Sequence, residues 1–129
     1  MVKKIAKKIL IIDEEVFTHV CRAILELEGY KIETHNIFGE KSITSNFKKA
    51  GLIITSYPFC MPLLRELSKF DIPKIILSDN VNKEMIALLK NLTQSFCMVK
   101  PIDYYEFRSL VKEILINNNA AYLNSVNIL

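Results

Sequence analysis

Four short apolar runs limit this chain more than any other feature: Ile9 to Ile12, Leu52 to Thr55, Lys74 to Leu77 and Phe96 to Val99, each followed by polar or turn residues. Their length and composition predict buried strands. The apolar character is continuous rather than alternating, so both faces of each strand must be covered, as in a parallel sheet between two helical layers. Lys31 to Asn36 mixes polar and apolar residues and suits a strand near the sheet edge.

Between the runs the period becomes helical. Val16, Val20, Ile24 and Leu27, with Phe17 and Cys21 beside them, form one apolar stripe expected to face inward, and Gly29 supplies the stop. Lys83 to Leu92 reads as a helix with Met85, Leu88, Leu89 and Leu92 inward, and Tyr104 to Ile116 as one with Phe107, Leu110, Val111, Ile114 and Leu115 inward. Met61 to Phe70 predicts a shorter helix ending before Pro73, whereas Gly39 to Lys49 is polar and only weakly periodic. This alternation specifies an α/β doubly wound fold of the flavodoxin-like class: a five-stranded parallel sheet, helices on both faces and right-handed crossovers. The predicted organisation is a basic stub at 1–7, one domain at 8–117, and a tail or linker start at 118–129.

Composition narrows the function classes. At 129 residues and 50% hydrophobic content the chain has enough apolar material for one sizeable core. Lys3, Lys4, Lys7 and Lys8 carry the excess charge, because removing them from the 17 basic residues leaves 13 against 14 acidic ones. A near-neutral body argues against a nucleic-acid footprint, which needs Lys and Arg clustered over a face. Cys21, Cys60 and Cys97 are odd in number, widely spaced and free of the C-x-x-C pairing that would suggest a disulfide framework or zinc site, so they read as small buried hydrophobes in a reducing cytoplasm. The N-terminal apolar run ends at Asp13, too early for a signal peptide, and no run is long enough to span a bilayer.

Asp13 and Glu14 follow Ile-Leu-Ile-Ile at the carboxyl end of the first predicted strand. Spacing alone leaves two readings. Strand-end acids favour the N-terminus of the helix that follows, through its dipole. Alternatively they belong to a hard-cation site, since magnesium binds through one or two carboxylates plus waters and phosphate. The second reading needs partners at other strand ends. Ser78 ends Ile-Ile-Leu-Ser, and Lys100-Pro101 follows Phe-Cys-Met-Val, 22 residues after Ser78. In this order the residues resemble the receiver domains of bacterial response regulators across nearly all of residues 8 to 116. In that family an acidic pair ends strand one, an aspartate ends strand three, a Ser or Thr ends strand four, and a Lys-Pro, often cis, ends strand five.

The third element departs from the resemblance. Gly51 to Ser56 looks like the family's third strand, but Ser56 stands where its phosphate-accepting aspartate would be. Met61-Pro62 lies too far from Ser56, no Asp-Gly turn follows it, and the stretch from Ser56 to Ser78 is shorter than in the usual receiver. Cys97 holds the position of an aromatic residue that, in many family members, reorients on phosphorylation. A serine hydroxyl is a poor nucleophile without a base, and neither His19 nor His35 is placed to serve. The expectation is therefore a pseudo-receiver, not an enzyme, with no cofactor beyond weak Mg²⁺ binding at Asp13 and Glu14, and with Lys100 leaning toward those acids as a counter-ion.

Such a domain would act through protein contacts, with a histidine kinase, an effector domain or a second copy as partner, and without nucleic acid or membrane. The resemblance implies a partner face on the fourth helix, fifth strand and fifth helix, here carrying Lys83, Lys90, Tyr104, Tyr105, Arg108 and Lys112. Two alternatives stand beside it. One is an active receiver with an atypical acceptor. The other is a small haloacid-dehalogenase-like phosphatase with Asp13 as nucleophile, which fits poorly because Glu15 occupies the place of that family's second aspartate.

Overall fold

The computed structural model describes residues 8–36, 47, 49–116 and 127–128. The first unit is strand β1 (Lys8–Asp13), helix α1 (Glu15–Glu26) and strand β2 (Lys31–Asn36). Strand β3 (Ala50–Ser56) follows, then a 3-10 turn (Met61–Leu63) running into helix α2 (Leu64–Leu67). Strand β4 (Lys74–Ser78), helix α3 (Lys83–Leu89), strand β5 (Ser95–Val99), helix α4 (Tyr104–Ile116) and a short strand β6 (Asn127–Ile128) complete the order. Most of the predicted Gly39 to Lys49 segment, the basic stub and most of the tail lie outside the described residues.

The strands form one sheet in the order β2-β1-β3-β4-β5-β6, and every pair is parallel. Five of them make the doubly wound sheet expected from the apolar runs; the sixth, two residues long, has no counterpart in that reading. Because successive strand side chains point to opposite faces, the sheet divides two cores. Ile9, Ile11, Leu52, Ile54, Ile75, Leu77, Phe96 and Met98 face α1 and α4, meeting Cys21, Leu25, Phe107, Leu110, Val111 and Ile114. Leu10, Ile12, Ile53, Ile76 and Cys97 face the other way, against Leu67, Met85, Leu89, Leu92 and Phe47.

Local signals set the helix starts. The Asn82 side chain accepts a hydrogen bond from the Met85 N–H at 2.8 Å and begins α3. Asp103 does the same for α4, accepting from the N–H groups of Tyr105 and Glu106 at 2.9 and 3.2 Å. Gly29 takes φ +91° just after α1, the left-handed stop that glycine permits. Helix α3 ends at Leu89 rather than Leu92, but Leu92 is still buried. The Met61 to Phe70 helix shrinks to one 3-10 turn and four α residues, of which only Leu67 is fully buried.

Helix α1 corrects the predicted stripe. Its buried residues are Thr18, Cys21 and Leu25, with Phe17 packed against them. Val16 is 72% exposed and Leu27 85%, and Val20 also reaches solvent. Apolar residues run almost all round this helix, so two stripes of helical period compete and periodicity cannot choose between them. The packing chooses the line through Phe17, Cys21 and Leu25, which meets Ile9 and Ile11 of the sheet.

Candidate functional site

In an open parallel sheet the carboxyl ends of the strands converge on one rim. Here that rim carries Asp13 at the end of β1, Ser56 at the end of β3, Ser78 at the end of β4 and Lys100 just after β5. Register explains the neighbours: Ile12 lies beside Thr55, which brings the next residues, Asp13 and Ser56, together, and Ser78 lies beside Val99.

Asp13 and Ser56 are both fully buried. The Ser56 hydroxyl donates a hydrogen bond to Asp13 Oδ2, and the Glu14 N–H donates to Oδ1 at 2.8 Å. Burial pushes the Asp13 carboxyl above the ordinary carboxylate range. The Ser56 hydrogen bond, the Glu14 N–H and the positive field of Lys100 offset part of that push, while the charge of Glu14 adds to it. The acidic pair is therefore split. Asp13 is an interior carboxylate held by one hydroxyl and one amide, whereas Glu14 is the exposed N-cap residue of α1.

Ser78 and Lys100 reach the rim but do not join Asp13. The Ser78 hydroxyl donates to the Asn80 carbonyl at 2.7 Å, closing a local turn, and the Ser78 carbonyl accepts from the Lys100 N–H at 2.7 Å. The Lys100 ammonium stands 4.9 Å from the centre of the Phe17 ring, a cation–π contact. Among the described residues no ion pair includes Lys100, so the expected counter-ion pairing with Asp13 and Glu14 is replaced by a longer-range attraction. The physical reason lies in Asp13, where a hydroxyl and an amide already take one oxygen each, and in Phe17, whose ring lies within reach of the lysine. The Lys100-Pro101 bond is cis, as the resemblance implies, and Tyr57-Pro58 is cis as well.

Cys97 is buried in the core between the sheet and the α2–α3 layer, and burial pushes its thiol up to about 11. Cys21 and Cys60 are pushed up to about 12, by burial first and then by the negative field of Asp13. All three are free thiols, and at neutral pH they are protonated and weakly reactive. Thr55, next to Ser56 in β3, has a buried hydroxyl without a hydrogen-bond partner. Among the described residues no three His, Cys, Asp or Glu side chains gather closely enough to hold a metal ion.

The six candidate interface residues are all at the surface, with Tyr105 72% exposed. Tyr104, Arg108 and Lys112 are four residues apart along α4 and so share one face of that helix, and Arg108 also lies 3.8 Å from Glu28, just beyond α1. Both histidines have acidic neighbours: His19 lies 3.9 Å from Glu15, and His35 contacts Glu33 at 2.6 Å while Lys8 binds the same carboxylate at 2.9 Å.

One buried group has partners that its place in an apolar run does not reveal. Lys74, the first residue of β4, is completely buried at the opposite, amino end of the sheet. Its ammonium donates to the carbonyls of Phe70, Ile72 and Thr93 at 2.8, 2.7 and 3.1 Å. Burial pushes it down to about 8, with Asp71 pulling the other way.

Comparison with known structures settles the architecture. The CheY-like receiver domain protein from Methanospirillum hungatei JF-1 superposes with a TM-score of 0.70 at 21% identity, covering 86% of this chain and 94% of that one. The chain has the receiver fold. A receiver domain protein from Clostridium thermocellum gives 0.71 at 22% identity, covering 86% and 95%. The signal receiver domain of a histidine kinase from Syntrophus aciditrophicus gives 0.71 at 23% identity, covering 87% and 92%. No protein-family model matches the chain, and no curated protein sequence matches it. Among the described residues no helix is long and apolar enough to cross a membrane.

Proposed function

We propose that this chain is a receiver-like module of two-component signalling that works by protein–protein contact and is not switched by phosphate. The observation that carries the reading is the buried hydrogen bond from Ser56 to Asp13. Acyl-phosphate chemistry needs a carboxylate to attack phosphorus, a cation to spread the charge and an accessible pocket. The end of β3 offers a hydroxyl instead, with no solvent exposure, and the hydroxyl is already bonded to the nearest acid. Magnesium fits this donor set poorly: both Asp13 oxygens accept protein hydrogen bonds and Glu14 is turned outward. The pocket is thus a closed structural contact, and recognition falls to the surface, where a histidine kinase, an effector domain or a second copy would dock.

The same hydrogen bond supports one competing reading. A carboxylate that accepts a serine proton is also the arrangement of a general base beside a nucleophile. Burial of both groups weighs against it, since a phosphoryl donor has no path to Ser56. Titration of the labelled protein with Mg²⁺ and beryllofluoride, followed by amide NMR, separates the two. The expected result is no saturable shift at residues 12–17, 54–58, 78–80 or 97–101. Saturable shifts centred on Ser56 would establish the competing reading.

A further inference from the structure

Strand β6 is connected to the sheet against the usual handedness. Helices α2 and α3 pack on one face of the sheet, and α1 and α4 on the other. The steps from β3 to β4 and from β4 to β5 move outward across the sheet through the α2–α3 face, which makes them right-handed. The step from β5 to β6 continues outward in the same direction but passes through α4, on the opposite face. That reverses the hand, whereas about 98% of parallel crossovers are right-handed. A strand of two residues gives little to offset it: the register pairs only Asn127 with Phe96 and Ile128 with Cys97.

We propose that β6 is exchanged between two copies of this chain, so that Asn127 and Ile128 of one lie parallel to β5 of the other in the register seen here. Exchange keeps each backbone contact of the strand and removes the left-handed connection from within a single chain. Ten residues separate Ile116 from Asn127, a reach of up to roughly 35 Å when extended. The receiving edge is suited to the role. β5 would otherwise end the sheet as an unpaired strand, which proteins cover or blunt. Helices α3 and α4 cover opposite faces of the sheet, and Lys83 and Lys90 at α3 and Tyr104, Tyr105 and Lys112 on α4 are all exposed. A second copy seated there meets exposed aromatic and basic residues, of which the aromatics favour an interface. The proposal needs no phosphorylation and stands whether or not Ser56 reacts.

Ile128→Cys in the full chain tests it, because register places position 128 beside native Cys97. Mild oxidation is expected to give a disulfide-linked dimer as the main product on a non-reducing gel, lost when Cys97→Ser is added. A disulfide closed within one chain overturns the exchange, and so does the absence of any disulfide at this pair. Sedimentation velocity supplies a second measurement independent of oxidation. Wild-type protein is expected to show a concentration-dependent dimer that Ile128→Pro abolishes. A wild-type monomer at all concentrations, or a dimer that persists in Ile128→Pro, contradicts the proposal.

Discussion

The two ends of the sheet each bury an ionisable side chain, and they satisfy it by different means. At the amino end, Lys74 binds three main-chain carbonyls whose positions are set by the course of the chain. At the carboxyl end, Asp13 depends on a side-chain hydroxyl and one amide. A charge held by backbone is part of the fold, and no single side-chain substitution among its partners releases it. A charge held by a side chain changes with one substitution. The contact at the carboxyl end can therefore change while the architecture remains.

The largest effect that could break this contrast is at Lys74. Lys74→Met keeps the volume but leaves three buried carbonyls without a donor, and each unsatisfied group costs about 1–3 kcal/mol. Relief of the lysine's own burial offsets part of that, so urea unfolding at neutral pH is expected to show a net loss of about 2–4 kcal/mol. The pH profile adds a signed check. Folding lowers the ammonium from 10.5 to about 8, so the unfolded chain binds the proton more tightly. The resulting penalty is absent above the unfolded value, grows as pH falls from 10.5, and is complete below about 8. The wild-type protein should accordingly gain stability relative to Lys74→Met as pH rises across that window, by on the order of 3 kcal/mol. A flat difference would mean that the carbonyls compensate the burial.

Next comes Ser56→Ala, which strips Asp13 of the one side-chain donor it has among the described residues and should cost about 1–3 kcal/mol. Asp13→Asn acts at the same bond from the other side. Burial raises the Asp13 carboxyl, so the charged form penalises the folded state at neutral pH, and the penalty is relieved as pH falls through the folded value toward the unfolded one. Removing the charge should change stability by about 1 kcal/mol or less, and in the stabilising direction. The double variant should recover much of the Ser56→Ala loss, and additive behaviour would show that the two residues are not coupled. Smallest is Thr55→Val, which replaces a buried unsatisfied hydroxyl by a methyl group and should leave stability unchanged or raise it by about 1 kcal/mol in thermal unfolding.

The same contrast separates what sequence reasoning reached from what it missed. The strands and rim residues were readable because buried parallel strands are continuous apolar runs, and Asp13, Ser56, Ser78 and Lys100 stand directly at their ends. Lys74 begins such a run, but the run says nothing of what a buried ammonium binds; only the folded loops bring Phe70, Ile72 and Thr93 round it. The Ser56 to Asp13 bond joins residues 43 apart in sequence, and it displaced the ion pair that charge alone suggested for Lys100. Helix α1 defeated periodicity because its apolar residues offer two stripes. Strand β6 is too short to leave a pattern at all.

Incubation of the full chain with acetyl phosphate and Mg²⁺, followed by intact-mass measurement, tests the proposal that the rim does not accept phosphate. The expected result is the unmodified mass alone, in the wild-type protein and in Ser56→Ala. A phosphate adduct on the wild-type chain that is absent from Ser56→Ala would contradict it and make Ser56 an acceptor.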